Sequence, residues 1–162
     1  MAIKRIAIIG ASGRGKTTWN KNFISGIPSE NVLINDVNNE YGGTYFSKKD
    51  FLEKAKEARR KIILFEEATI FFKGQSVEAM IEILVRARHT NNTILMVFHS
   101  LRSVPADIFE LIDVFVISPT IERPDLVEKK YSDYPEVFEA WKALWDYEQE
   151  NGLAHKYIEV IR

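Results

Sequence analysis

Gly10-Ala11-Ser12-Gly13-Arg14-Gly15-Lys16-Thr17-Thr18 concentrates phosphate chemistry near the start of the chain. It fits the pattern G-x-x-x-x-G-K-[ST] at every defined position. Gly10, Gly13 and Gly15 remove side chains where the backbone must curl around an anion and use unusual dihedrals. A loop so curled aims successive N–H groups inward and opens a helix, whose N-terminal dipole favours negative charge. Lys16 can reach the β- and γ-phosphates of a nucleotide, and the Thr17 hydroxyl can take one position on Mg²⁺. The expected ligand is ATP with Mg²⁺.

Hydrolysis asks for three further groups: a carboxylate for the metal, a group to position or deprotonate the attacking water, and positive charge near the γ-phosphate. The apolar run 61–65 ends in Glu66-Glu67, the Walker B pattern. Glu66 is assigned to the metal and Glu67 to the water; two solvated loop acids are the alternative. His99 follows another apolar run, 93–98. It can touch the γ-phosphate or the water, or simply be a surface histidine. Arg86, Arg88 and Arg102 can supply the positive charge, though none adjoins the loop in sequence. A neighbouring subunit can provide such an arginine, and a solvated helix face is the competing role for each.

The elements that must position these groups follow from periodicity. Residues 4–9 form an apolar run bounded by Gly and read as a buried parallel strand. The helix after the loop carries Trp19, Phe23 and Ile24 on one face. Further strands are expected at 31–36, 61–65, 93–98 and 114–117. Ser47 can cap a helix over 48–59, with Asp50 three residues on and Phe51, Leu52 and Ala55 buried. Segment 68–74 reads as a loop or short helix burying Ile70 and Phe71. Ser76 can cap a helix through Val77, Met80, Ile81, Leu84 and Val85, ended by Asn91-Asn92. Pro105 can occupy the first turn of a short helix, 106–112. Val137, Phe138, Trp141, Leu144 and Trp145 mark an amphipathic C-terminal helix whose aromatic stripe belongs to the core, and 157–161 can be an edge strand.

Alternating strands and helices predict an α/β fold, a doubly wound, mostly parallel sheet with helices on both faces. Ligands bind such sheets beyond the carboxyl ends of the strands. The phosphate loop, Asp36, Glu66-Glu67 and His99 all fall at those ends. The 162 residues make one domain, with a core over 1–118 and a helical and edge-strand extension over 119–162.

Composition narrows the classes. The net charge of −1 excludes a global basic field, so nucleic-acid contacts would come from local patches or the inner face of an oligomer. The run Lys48, Lys49, Lys54, Lys56, Arg59, Arg60, Lys61 is interleaved with Asp50, Glu53 and Glu57 and reads as a solvated helix rather than a DNA contact. Cysteine is absent, which suits a reducing compartment. No apolar run approaches the ~20 residues of a membrane span, and no signal peptide is visible.

Three stretches resemble the FtsK/HerA superfamily of P-loop ATPases, in the additional-strand, catalytic-glutamate division. Residues 33–41, with Asp36, Glu40 and Tyr41, resemble its second strand and "D…EY" loop; 62–67 resemble its Walker B; and 86–100 resemble its sensor strand, with His99 where the family usually has Gln or Asn. The resemblance covers about 4–117. It implies a RecA-like core of strand order 5-1-4-3-2, arginines near Arg86 and Arg88 acting in trans, and a pentameric or hexameric ring. The compact length resembles the genome-packaging ATPases of double-stranded DNA viruses. That implies DNA translocation in the host cytoplasm, with association with the virion and a capsid or portal-vertex partner. A small P-loop kinase, or a nucleotide-dependent switch or assembly protein, is the alternative.

Overall fold

The computed structural model describes residues 4–162; positions 1–3 of the expected domain lie outside the described residues. Within them six strands form one sheet: β1 (Arg5–Ile9), β2 (Val32–Asn35), β3 (Ile62–Phe65), β4 (Thr93–Phe98), β5 (Val114–Ile117) and β6 (Ile158–Ile161). The order is β2-β3-β4-β1-β5-β6. Read from the other edge, this is the expected 5-1-4-3-2 with β6 added outside β5. All pairings are parallel except β5–β6. The sheet is therefore mostly parallel, as expected, with the anticipated C-terminal edge strand as its antiparallel member.

Five helices cover it: α1 (Lys16–Ile24), α2 (Lys48–Glu57), α3 (Val77–Thr90), α4 (Pro124–Lys130) and α5 (Pro135–Asn151). Alternate strand residues feed two unequal cores, because successive side chains point to opposite faces. Ala7, Ile9, Ile63, Phe65, Met96, Phe98 and Phe115 join the larger one with the buried faces of α2, α3 and α5. Ile6, Ile8, Leu64, Val97 and Val116 meet Trp19, Phe23 and Ile24 of α1 in the smaller one. Helices lie on both faces, but α1 is the helix that contributes to the second.

Most local expectations hold. Ser47 caps α2: its Oγ accepts the Asp50 N–H at 3.1 Å and donates to the Asp50 carboxylate at 2.7 Å. Asn91 ends α3 in the left-handed region, at φ 55°. Val137, Trp141 and Leu144 are buried along α5, so the aromatic stripe is core.

Several details differ. Ser76 is not a cap: its backbone is already helical, and its hydroxyl donates to the Lys73 carbonyl at 2.8 Å. The 3-10 turn at Gly74–Ser76 has taken over the start of the helix. The buried face of α3 is Met80, Ile83, Leu84 and Ala87, with Val85 exposed. Segment Ala68–Phe72 is a 3-10 turn that buries Phe71 and leaves Ile70 exposed, because three residues per turn cannot put both on one side. Pro105 stands just before a 3-10 turn, Ala106–Leu111, rather than inside an α-helix. Helix α2 stops at Glu57, two residues early, and α4 was not anticipated.

Candidate functional site

Strand register places the polar groups in a row. Ile9 pairs with Phe98, Phe65 with Met96, and Asn35 with Phe65. The residues that follow, Gly10, His99, Glu66 and Asp36, therefore emerge side by side at the carboxyl edge. Two backbone bonds weld the phosphate loop to that edge: Gly10 N–H to the Phe98 carbonyl at 3.1 Å, and Ala11 N–H to the Pro119 carbonyl at 3.0 Å.

The glycines act in two ways. Gly13 and Gly15 take φ of 74° and 87°, a region that side chains disfavour. Gly10 is different: a Cβ there would lie 2.9 Å from the Ser118 Cβ, so close approach rather than dihedral requires it.

Lys16 begins α1 and its side chain curls over the loop. Its Nζ donates to the Gly10 and Ala11 carbonyls at 2.6 and 2.9 Å. Burial pushes its ammonium below the ordinary value, while the Glu67 and Glu40 carboxylates pull the other way. Thr17 donates its hydroxyl proton to Glu40. Arg14 turns away from the phosphate side: its guanidinium makes a two-pronged bond to Glu148 of α5, at 3.0 and 3.3 Å.

The acids differ sharply in surroundings. Glu66 is 5% exposed, and its Oε2 has no hydrogen-bond partner. Burial raises its carboxyl to about 7; a backbone bond from Asn38 opposes this, and the charges of Glu40, Asp36 and Glu67 add to it. Glu67 pairs with His99 Nε2 at 2.9 Å, the histidine exposed and the carboxylate partly so. These groups line a cleft of about 160 Å³ together with Ser12, Gly13, Lys16 and Thr17. Glu67, Lys16 and His99, named from separate stretches, thus meet in one place.

Asp36 has a structural role. It is buried and accepts three backbone N–H groups, from Glu40 at 2.7 Å, Tyr41 at 3.0 Å and Gly43 at 3.1 Å. The loop so gathered docks on α1 twice, through Glu40 on Thr17 and through Tyr41, whose hydroxyl accepts from Asn20 at 3.1 Å. Burial raises the Tyr41 phenol to about 12, keeping it protonated. Sequence reasoning gave Glu40 no role, although the "D…EY" stretch was the signal for it. Nothing in residue spacing pointed to Glu148.

Arg86 and Arg88 are not brought to this cleft. They sit in the last turns of α3, at the opposite edge of the sheet. Arg86 pairs with Glu82 at 2.9 Å and Arg88 with Asp113 at 3.4 Å, and both remain largely exposed. Arg102 lies in the turn after β4 and is exposed.

Among the described residues no cluster of three or more His, Asp or Glu can hold a metal alone. The donor set still fits Mg²⁺, which takes one or two protein ligands and completes its shell with phosphate and water. The unpartnered Glu66 Oε2 is a buried oxygen in want of a cation, and Glu40 fixes the Thr17 proton so that hydroxyl lone pairs remain free.

Sheet order, loop and acid row define a P-loop NTPase core of RecA-like form. No family model matches the chain, and no curated protein matches it. Among solved structures it is similar to the genome-packaging NTPase B204 of Sulfolobus turreted icosahedral virus 2. In complex with AMP that protein aligns at TM-score 0.75 and 19% identity, over 99% of this chain and 94% of that one. In complex with AMPPCP it aligns at 0.70 and 20%, over 89% of each chain. B204 of Sulfolobus turreted icosahedral virus, a DNA-packaging ATPase, aligns at 0.73 and 18%, over 98% and 92%. The viral packaging resemblance read from the sequence is thus met in the fold. No helix among the described residues is long and apolar enough to cross a membrane.

Proposed function

We propose that this protein is an ATPase that packages double-stranded DNA into a viral capsid, working as a pentameric or hexameric ring of identical copies in the host cytoplasm. The observation that carries the reading is Glu67, held by His99 at 2.9 Å in the same cleft as Lys16 and Thr17 of the phosphate loop. A loop that binds a triphosphate, beside a carboxylate fixed in place by a histidine, suits attack by water rather than transfer to a bulky acceptor. The likeness in fold to B204, solved with AMPPCP and described as a genome-packaging NTPase, supports the same conclusion.

Each group then has a task. N–H groups of 10–18 bind the β- and γ-phosphates, and Lys16 exchanges its loop carbonyls for phosphate oxygens. Thr17 and Glu66 would hold Mg²⁺, which when bound draws charge from the β- and γ-oxygens. Glu67 takes a proton from the attacking water as its oxygen bonds to the γ-phosphorus and the bond to the β–γ bridging oxygen breaks, giving ADP and phosphate. His99 holds Glu67 in register and senses the loss of the γ-phosphate. Positive charge comes from Arg86 or Arg88 of an adjacent copy, whose guanidiniums are exposed, the first on Glu82 and the second on an Asp113 that Arg5 already pairs. A capsid or portal-vertex protein anchors the ring.

Steady-state phosphate release with and without duplex DNA tests the reading. Hydrolysis stimulated by DNA and lost in Glu67→Gln is the expected result. Phosphate transfer to a small molecule without free phosphate would instead make the protein a kinase, and binding without turnover a switch. A strict monomer with a slowly hydrolysed ATP analogue and duplex DNA would overturn the ring.

A further inference from the structure

Packing does not set the direction of His99, whose side chain is 48% exposed. Its backbone must aim the ring. β4 ends one residue earlier, where the Phe98 carbonyl accepts the Gly10 N–H. One residue later Ser100 opens a closed 3-10 turn, Leu101–Ser103. Ser100 and Ser103 cap each other, each hydroxyl accepting the other's N–H, at 3.1 and 3.3 Å. His99 is thus a single link between a strand and a turn. Where the turn sits decides where the imidazole points.

That turn is held from outside by the chain that follows β5. The Glu122 carboxylate accepts the Leu101 N–H at 2.8 Å on one oxygen and the Arg102 N–H at 2.9 Å on the other. The Tyr131 hydroxyl donates to the Leu101 carbonyl at 2.7 Å, and the Lys130 ammonium to the Arg102 and Val104 carbonyls. Glu122 is itself fixed. The Thr120 hydroxyl donates to it at 2.6 Å and accepts the Trp141 indole N–H at 2.7 Å, and both of these residues are buried. The same short segment also meets the phosphate loop. The Ser118 N–H bonds to the Ile9 carbonyl at 2.7 Å, and the Pro119 carbonyl accepts the Ala11 N–H at 3.0 Å.

We propose that Glu122 is a positioning residue of the hydrolysis site. By gripping the turn after His99 it aims the imidazole at Glu67, and residues 118–122 keep sensor and phosphate loop in one frame. The proposal rests on the ATPase reading above. A carboxylate suits the task, because charge-assisted hydrogen bonds are short and about twice as strong as neutral ones. Without it the Leu101 and Arg102 N–H groups lose their partner, while Tyr131 and Lys130 still hold the carbonyls. The turn then shifts rather than unfolds. A misplacement of about 1 Å can cost a reaction about 10²-fold.

Two readouts test this: steady-state phosphate release in a double-mutant cycle, and the imidazole NMR signals. The chain has three histidines, so the signal lost in His99→Ala identifies that ring. Glu122→Ala should lower kcat about 10–100-fold. KM should not move, nor should the affinity for inorganic tripolyphosphate, a probe of the phosphate loop alone. The double variant His99→Ala/Glu122→Ala should be no slower than His99→Ala, because Glu122 acts through that ring. Glu122→Gln keeps one acceptor oxygen and should fall between Glu122→Ala and wild type. In Glu122→Ala the His99 signal should move toward its position in Glu67→Ala, with His89 and His155 unmoved. Losses that add in full across the cycle overturn the proposal, as does a His99 signal that stays in place. A parallel loss of tripolyphosphate affinity also overturns it, because Glu122 would then act on the loop and not on the sensor. If Glu122→Ala does not fold, Glu122→Gln carries the cycle and the same outcomes decide. Wild-type protein without hydrolysis overturns the ATPase reading, and the His99 signal alone then decides whether Glu122 aims the ring.

Discussion

At the carboxyl edge of the sheet Glu66 is buried with one oxygen unpartnered, and Lys16 spends its charge on two loop carbonyls. At the amino edge Asp113 is saturated. It accepts the Arg5 N–H at 2.8 Å and the Arg5 guanidinium at 2.8 and 2.9 Å, with Arg88 alongside. Nearby, Asn92 accepts the Lys61 N–H and donates to the Ala58 carbonyl, each at 3.0 Å, tying the starts of β3 and β4 together. Pairing a half-buried charge completely makes it safe for the fold, whereas leaving a buried one short of partners costs stability and reserves its field for a ligand. The two edges divide these tasks: one holds the sheet and the other is poised to bind.

Substitutions at the two edges should separate accordingly. The largest effect is expected from Glu67→Gln, where loss of a general base lowers hydrolysis by about 10²–10⁴-fold. Nucleotide binding and thermal midpoint should hardly move, which single-turnover kinetics and calorimetry would check. Arg5→Ala should do the reverse. It takes the guanidinium from the half-buried Asp113 carboxylate, which keeps the backbone N–H of residue 5 and Arg88 as partners, and costs about 1.5–3 kcal/mol, seen as a fall in urea midpoint, with tripolyphosphate affinity retained.

Acid should sharpen the contrast at that edge. Burial pushes the Asp113 carboxyl up, but the bonds and charge of Arg5, with Arg88, outweigh it and leave it below the ordinary 3.8. A depressed carboxyl stabilises the fold above its unfolded value and loses that contribution as pH falls through the folded one. The stability gap between wild type and Asp113→Asn should thus be full at neutral pH and close below about pH 4.

Glu66→Gln should move stability the other way. A carboxyl raised to about 7 binds its proton more tightly when folded, so the native state loses stability as pH rises from 4.5 toward 7. Without metal, the variant should melt higher than wild type at pH 8 by a few degrees, about 1–2 kcal/mol, and match it near pH 4.5; hydrolysis should fall. A variant that melts lower at pH 8 would remove the claim that the site stores destabilising charge. The smallest change is expected from Arg86→Ala or Arg88→Ala, each below about 1 kcal/mol in the isolated chain. If either acts in a neighbour's site, its ATPase loss should appear only under conditions where copies assemble, as measured by light scattering beside phosphate release.

Much of this was legible in residue order because it is local. A run such as Thr93–Phe98 buries both its faces wherever it lands, and β4 has the expected bounds. The spacing Gly10, Gly13, Gly15, Lys16 encodes the loop's own turns, with positive φ at Gly13 and Gly15. Local signals failed where a competing contact intervened. Ser76 had a cap's residue type and position, but a 3-10 turn upstream offered its hydroxyl the Lys73 carbonyl. Val85 had helical spacing, but α3 presents Ile83 and Ala87 to the core.

By itself the sequence determined the loop, the strands that end in acids, and the division of the chain into alternating elements, since each follows from side-chain size, polarity and period over a few residues. Tertiary structure alone decided the pairings. Arg14 meets Glu148 across 134 residues, Arg5 meets Asp113 across 108, and β6 closes on β5. It also decided that Glu66 would be buried with an oxygen unpaired while Glu67, its neighbour, would face solvent and His99. Adjacent residues on a strand's end point to opposite sides, and which side is covered depends on what the rest of the chain packs there.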